Sequence, residues 1–102
     1  MLSPCEYVSG VVATEPQVWK YDGDYYFNLR LDPGQDRFLN EGNMKRLGGT
    51  LHIEIEPNER RLKLAELPKL GMHIVVVGVW VLDTGNNWNE IHPVWFWAQV
   101  AP

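Results

Sequence analysis

Residues 50–56 show the clearest pattern in the chain, a strict alternation of apolar and polar side chains. A period of two predicts a β-strand with one face in the core and the other face outward. The inward set is Leu51, Ile53 and Ile55, and the outward set is His52, Glu54 and Glu56. Pro57 and Asn58 end this strand, because both residue types favour turns.

Two aromatic-rich segments before this strand predict an antiparallel hairpin. Residues 17–21 and 24–31 flank Asp22-Gly23, a dipeptide typical of the type I′ turn. On that register Trp19 faces Tyr26, and Val18 faces Phe27. The predicted core face of the second arm is Tyr25, Phe27, Leu29 and Leu31, and its outer face is Tyr26, Asn28, Arg30 and Asp32.

The other strands follow from shorter apolar runs. Residues 7–14 predict a first strand, which Pro16 bends before the hairpin. Residues 73–83 predict a long apolar strand, and residues 94–100 predict the last one. The polar loop at residues 84–87 follows the long strand.

Two short helices are also predicted. One lies near residues 36–40 and is limited by Gly42, and the other covers residues 59–67 between Asn58 as its cap and Pro68. The chain is therefore mainly β, with a helical connection between its third and fourth strands. This order predicts a small five-stranded OB-like Greek-key barrel, formed by one domain over residues 1–102. A fold of this kind does not by itself identify a ligand.

The net charge and the first residues limit the classes of protein to which this chain can belong. A net charge of −4 disfavours a general nucleic-acid binder, although seven of the nine basic residues lie between Arg37 and Lys69. Cys5 is the only cysteine, so no internal disulfide can form. The first residues lack the pattern of a signal peptide, and the apolar run from Ile74 to Leu82 is too short to cross a bilayer. We therefore expect a soluble cytoplasmic protein.

The most specific polar motif lies between Asp83 and His92. Glu90 and His92 are two residues apart, so an extended backbone projects both to the same side, where Asp83 can meet them across the loop. A carboxylate beside an imidazole can satisfy loop backbone groups, contact a ligand together with Trp88, or bind a metal. The structural role is favoured here. The chain has no P-loop, no glycine-rich dinucleotide turn, no Cys-x-x-Cys pair and no nucleophile motif, so no cofactor and no metal are expected.

This stretch resembles a group of small bacterial OB-fold-like domains. The shared motif is Trp-Val-x-Asp followed by Trp-x-Glu-Ile-His-Pro, and the matching residues are Pro68, Gly71, Gly78, Trp80, Val81, Asp83, Trp88, Glu90, Ile91, His92 and Pro93. The group usually has a His-Gly pair before the second tryptophan, where this chain has Asn86-Asn87. The resemblance implies the OB-like fold, and the absent histidine argues against a metal held by two histidines.

The outer face of the second and third strands is a further candidate surface. Trp19 and Tyr26 can form a stacking platform for bases, or they can stabilise the hairpin by cross-strand contact, which is favoured. Glu54 and Glu56 disfavour phosphates on this face. The full set of candidate ligand-binding residues is Trp88, Glu90, His92, Asp83, Tyr26, Arg30 and His52.

The last two strands raise the question of partners. The runs from Ile74 to Leu82 and from Val94 to Val100 are apolar on both faces, so their second face needs a cover. Residues 59–67, residues 37–46 or a second subunit can supply it, and we hypothesise a homodimer.

Three functions follow from the sequence. The favoured one is a non-enzymatic binding module for a small molecule, a peptide or a protein. The alternative is a domain that binds single-stranded nucleic acid. A metal-dependent hydrolase that uses Asp83, Glu90 and His92 is the weaker third alternative.

Overall fold

The computed structural model describes residues 1–56 and 67–100, which form mainly β structure. The strands are β1 (Ser3–Val12), β2 (Gln17–Val18), β3 (Tyr25–Leu31), β4 (Leu51–Ile55), β5 (His73–Asp83) and β6 (Trp88–Gln99). A 3-10 turn (Asp36–Phe38) and the short helix α1 (Glu41–Arg46) lie between β3 and β4. Among the described residues, no helix has the length and apolar character needed to span a membrane.

Five of the six strands pair in a closed circuit. The sheet order is β1-β5-β6-β4-β3-β2, and β1 also pairs with β3, which completes the ring. The β4–β6 pairing is parallel, and the other pairings are antiparallel. Gly10 permits the β1–β3 contact, because a Cβ at this position would collide with the carbonyl oxygen of Arg30 on the neighbouring strand.

The alternation predicted for residues 50–56 is confirmed. Leu51, Ile53 and Ile55 are at most 1% exposed and pack with Phe27 and Leu29 from β3. The opposite face of β4 carries the polar side chains, as expected. That face is covered as well, since His52 is only 8% exposed.

The predicted register of the first hairpin is wrong. The observed pairs are Gln17–Tyr26 and Val18–Tyr25, in place of Trp19–Tyr26 and Val18–Phe27. The Trp19 N–H donates to the Asp24 carbonyl, and the Gly23 N–H donates to the Trp19 carbonyl, so these residues form a longer loop. Within this loop Gly23 has a positive φ and Asp22 does not, whereas a type I′ turn requires both.

The helix predicted near residues 36–40 is displaced. That segment forms the 3-10 turn, and the α-helix begins at Glu41. Asn40 caps it, because its side chain accepts from the Asn43 N–H while the Asn43 side chain accepts from the Asn40 N–H. Gly42 lies inside the helix and does not end it. A Cβ at this position would collide with the carbonyl oxygen of Asn87, so glycine permits the close packing here.

The first and last strands are longer than predicted. β1 begins at Ser3, and β6 begins at Trp88 and not at Val94. Residues 88–93, which lie between the predicted loop and the predicted last strand, are thus part of β6, with an irregular β5–β6 register near Gly78. The helix predicted at residues 59–67 lies outside the described residues, except for Leu67, which packs against the core.

The segment after β3 packs against β5 on the side of the hydrophobic core, because Phe38 belongs to the buried core and Trp80 packs against it. Phe38 is 2% exposed and packs edge-on against Trp80 at a centroid separation of 5.1 Å. The Trp80 indole N–H also donates to the Phe38 carbonyl. Further along the same strands, Val77 pairs with Tyr7 and Phe96, and both of these aromatic side chains remain exposed.

Candidate functional site

The parallel pairing of β4 with β6 assembles the candidate site. His52 lies beside Glu90 in this register, and Ile53 lies beside Ile91 on the buried face. Because the side chains of each strand alternate, Glu54 and His92 follow on the same outer face. Two segments far apart in sequence thus place imidazoles and carboxylates side by side.

His92 is the centre of this cluster. Its Nδ1 lies 3.1 Å from a Glu54 oxygen and 3.3 Å from a Glu90 oxygen. Its Nε2 lies 3.4 Å from Asp24 and 3.7 Å from Glu56. Each of these four carboxylates forms an ion pair with a histidine. We call Asp24, His52, Glu54, Glu56, Glu90 and His92 the histidine–carboxylate cluster.

The carboxylates make His92 a strong base. The hydrogen bond to Glu90 and the charges of Glu54, Glu90 and Asp24 raise the pKa of His92 to about 9, against the opposing effect of burial. The ring is therefore cationic at neutral pH. Its position among the carboxylates offsets part of their repulsion.

Asp24 belongs to the cluster although it lies outside the sequence motif between Asp83 and His92. Burial raises the pKa of Asp24, as do the charges of Asp22, Glu54 and Glu56, while His92 lowers it. The loop at residues 19–24 brings this carboxylate to the ends of β4 and β6. A correct hairpin register was the only signal that could have found it.

A row of aromatic rings runs beside the cluster. The His52 ring lies 5.7 Å from the Tyr26 ring and 5.4 Å from the Trp88 ring, measured between centroids. His52 Nδ1 lies 2.9 Å from Asn28 Oδ1, and the Trp88 indole N–H donates to Glu90 at 3.1 Å. Three of the predicted site residues, Tyr26, His52 and Trp88, are thus brought together.

Two concave regions adjoin this aromatic row. A cleft with a volume of about 400 Å³ is lined by Trp19, Asp22, Tyr26, His52, Glu54, Asp83, Asn86 and Trp88. A smaller one of about 250 Å³ is lined by Thr14, Glu15, Gln17, Tyr26, Asn28, Leu47, His52 and Trp88. Both volumes share the Tyr26–His52–Trp88 row. We call the larger one the aromatic cleft.

Asp83 has no hydrogen bond to Glu90 or His92, and Arg30 is exposed, as predicted, but lies outside the aromatic row. Burial acts to raise the pKa of Asp83, but hydrogen bonds from Asn86 and Gly85 lower it overall. Asp83 thus holds its own loop and lines the cleft, and its hydrogen bonds join it to neither Glu90 nor His92. Arg30 is exposed and donates to the Gly48 carbonyl, away from the aromatic row.

In the part of the chain that the structure describes, two groups of side chains have the geometry to hold a metal ion. They are Asp24, Glu54 and His92, and His52, Glu54 and Glu90, with Glu54 common to both. Each offers three nitrogen or oxygen ligands, the number found in catalytic zinc sites. A metal bound through His92 must displace a proton that is held at neutral pH, so protons compete with metal there.

A second histidine–carboxylate contact lies elsewhere in the fold. Asp32 accepts hydrogen bonds from the Ser9 hydroxyl at 2.7 Å and contacts His73 Nε2 at 2.8 Å. Both contacts lower the pKa of Asp32, and the hydrogen bond from Ser9 has the larger effect. Ser9 Oγ and His73 Nε2 both contact Asp32 Oδ2, so the carboxylate lies between the hydroxyl and the imidazole, whereas a catalytic triad has the imidazole in the middle.

Neither the protein-family models nor the curated proteins include a match to this chain.

Proposed function

We propose that the protein is a non-enzymatic binding module that takes its ligand in the aromatic cleft. The observation that supports this function is the lining of the cleft, where three large aromatic side chains and His52 adjoin a few fixed polar groups. Ligand sites combine apolar walls with a small number of polar groups that orient the ligand. The cleft volume of about 400 Å³ suits a small molecule or a side chain of a partner.

We also propose an OB-type barrel as the fold that presents this cleft. The antiparallel succession β1–β3–β4, the parallel β4–β6 pair and the antiparallel β6–β5–β1 return support it. Such barrels bind ligands on the face of their second and third strands. Because β2 lies outside the closed circuit, the second and third strands of the circuit are β3 and β4. These strands carry Tyr26 and His52.

Single-stranded nucleic acid is the alternative ligand. The Tyr26–His52–Trp88 row favours it, because aromatic side chains stack on bases. Glu54 and Asp22 oppose it, since carboxylates in the cleft repel phosphates. A metal-dependent hydrolase is the weaker alternative, because Asp83 belongs to neither group that could hold a metal.

A binding test follows from two equally exposed tryptophans. Trp19 lines the cleft and is 48% exposed, whereas Trp95 is 49% exposed and lies outside it. A screen of chemically varied fragments should shift the NMR signals of the Trp19 and Trp88 indole N–H groups. The Trp19→Ala variant should weaken the best fragment roughly tenfold, because it removes one wall, and Trp95→Ala should leave its affinity unchanged.

Two results would contradict this function. The first is a screen in which no fragment shifts the Trp19 or Trp88 signal. The second is an oligonucleotide whose affinity falls steeply with salt and depends on Tyr26, which would select the alternative.

Self-association is a separate proposal and rests on the row of Tyr7, Val77 and Phe96, in which both aromatic side chains are exposed. Tyr7 is 67% exposed and Phe96 is 45% exposed, in register across three strands. We expect a homodimer in sedimentation experiments, and we expect the double variant Tyr7→Ser, Phe96→Ser to be monomeric. Leu70→Ser, an exposed change in a turn, is the control. A wild-type protein that stays monomeric at every concentration would overturn the homodimer.

A further inference from the structure

We infer that the aromatic cleft recognises an organic cation, namely an ammonium or guanidinium group on a small molecule or on a side chain. This inference rests on the proposed binding function and names the ligand class for the same site. Three features of the cleft support it: aromatic walls, carboxylates fixed in position, and no lysine or arginine among the lining residues that the structure describes.

The walls supply the first feature. Trp19 is half exposed, and Tyr26 and Trp88 are partly buried, so their rings remain available to a ligand. The face of an aromatic ring carries partial negative charge, which attracts a cation that has lost part of its water shell. Several such rings around one volume are the usual surroundings of a bound quaternary ammonium group.

The lining carboxylates supply the second feature. Asp22, Glu54 and Asp83 face the cleft, and each has hydrogen bonds that fix its side chain. Asp22 accepts from the Asp24 N–H at 2.9 Å, and Asp83 accepts from the Gly85 N–H at 2.9 Å. Negative charge held in place before binding costs less conformational entropy when a cation arrives.

Glu54 connects the cleft to the histidine–carboxylate cluster. One of its oxygens lies 3.2 Å from His52 Nε2, and the other lies 3.1 Å from His92 Nδ1. These contacts leave the carboxylate on the cleft wall, beside Trp88 and Tyr26. Asp24, Glu56 and Glu90 also contact the His92 ring, so one cationic ring faces four acidic groups.

The absence of a basic side chain from the lining supplies the third feature. Within residues 1–56 and 67–100, the eight lining residues include no lysine and no arginine. Arg46 lies 6.0 Å from the Trp88 ring centroid and donates to the Asn86 carbonyl, outside the lining. Three carboxylates in the described lining, with the nearby Arg46 held outside it, favour positive ligands over negative ones.

The experiment compares cations with their neutral isosteres. The first pair is choline and its carbon isostere, in which a tert-butyl group replaces the trimethylammonium group. The second pair is a lysine amide with a blocked α-amine and the matching norleucine amide. The indole N–H signals of Trp19 and Trp88 report binding. We expect at least one cation to bind roughly tenfold or more tightly than its isostere, which is about 1.4 kcal/mol.

Variants test the carboxylates themselves. Glu54→Gln and Asp22→Asn should each weaken the cation severalfold, with little change for the neutral isostere. Asn at position 22 keeps an acceptor for the Asp24 N–H, so this variant preserves the loop if Glu54→Gln does not fold. Glu41→Gln is the control, because Glu41 is exposed on α1 and pairs with Lys45 outside the cleft.

The outcomes separate this inference from the proposed function. Preference for choline indicates a small quaternary ammonium compound, and preference for the lysine amide indicates a side chain of a peptide. Both support the inference. If neutral or anionic fragments shift the Trp19 and Trp88 signals as strongly as the cations, the inference fails and the binding function stands. If no probe or fragment shifts these signals, both fail.

Discussion

Replacing Asn43 with alanine should cost at least about 3 kcal/mol of the free energy of unfolding. Asn43 is fully buried, and its amide uses all of its hydrogen-bonding groups. Its nitrogen donates to the carbonyls of Thr50 and Asn89, and its oxygen accepts from the N–H groups of Asn40 and Asn89. Alanine leaves these backbone groups buried without partners, which is the expensive case for a lost hydrogen bond.

Urea denaturation measures this loss, and two further variants sharpen it. Asn43→Asp keeps the acceptor but removes both donors and adds a buried charge, so we expect a loss at least as large as that for alanine. Asn86→Ala removes an exposed bond to Asp83 and should cost less than about 1 kcal/mol. A loss below about 1 kcal/mol for Asn43→Ala would show that water satisfies the vacated groups.

The position of Asn43 gives this stability a functional consequence. The bonds to Asn89 join α1 to the start of β6, between Trp88 and Glu90. The helix therefore holds the strand segment that carries Trp88 of the aromatic cleft. We expect any Asn43 variant that still folds to bind cleft ligands more weakly.

The second large effect is a fall in stability as pH rises through the titration of His92. The folded-state pKa of about 9 exceeds the ordinary value of 6.5. A raised pKa means that the stabilisation is fully present below the ordinary value and is lost as pH rises through the folded value. The loss between these two pH values is at most about 3 kcal/mol, and solvent access to the ring reduces it.

Denaturation in urea at a series of pH values from about 6 to about 10 measures this slope. His92→Gln should abolish the part of the slope that comes from the imidazole. His73→Gln is the matched control, because His73 contacts Asp32 in a different part of the fold. An NMR titration of the His92 ring with a midpoint near its ordinary pKa would contradict the prediction directly.

The sequence by itself determined the elements with strong local periodicity. The alternation at residues 50–56 identified the buried and outer faces of β4, and the spacing of Glu90 and His92 placed both on one side. The aromatic candidates Tyr26, His52 and Trp88 were also identified from the sequence, and the structure places them in one row. A period of two determines which face a side chain occupies, and it needs no knowledge of the neighbouring strand.

Only the tertiary structure decided which strands lie side by side. The parallel β4–β6 pairing brings His52 next to Glu90, and the longer hairpin loop brings Asp24 to His92. Local patterns do not encode such pairings, because register depends on turn geometry and on contacts between distant segments. Gly42 shows the same limit, since a residue that signals a helix end in sequence instead permits close packing of α1 against Asn87.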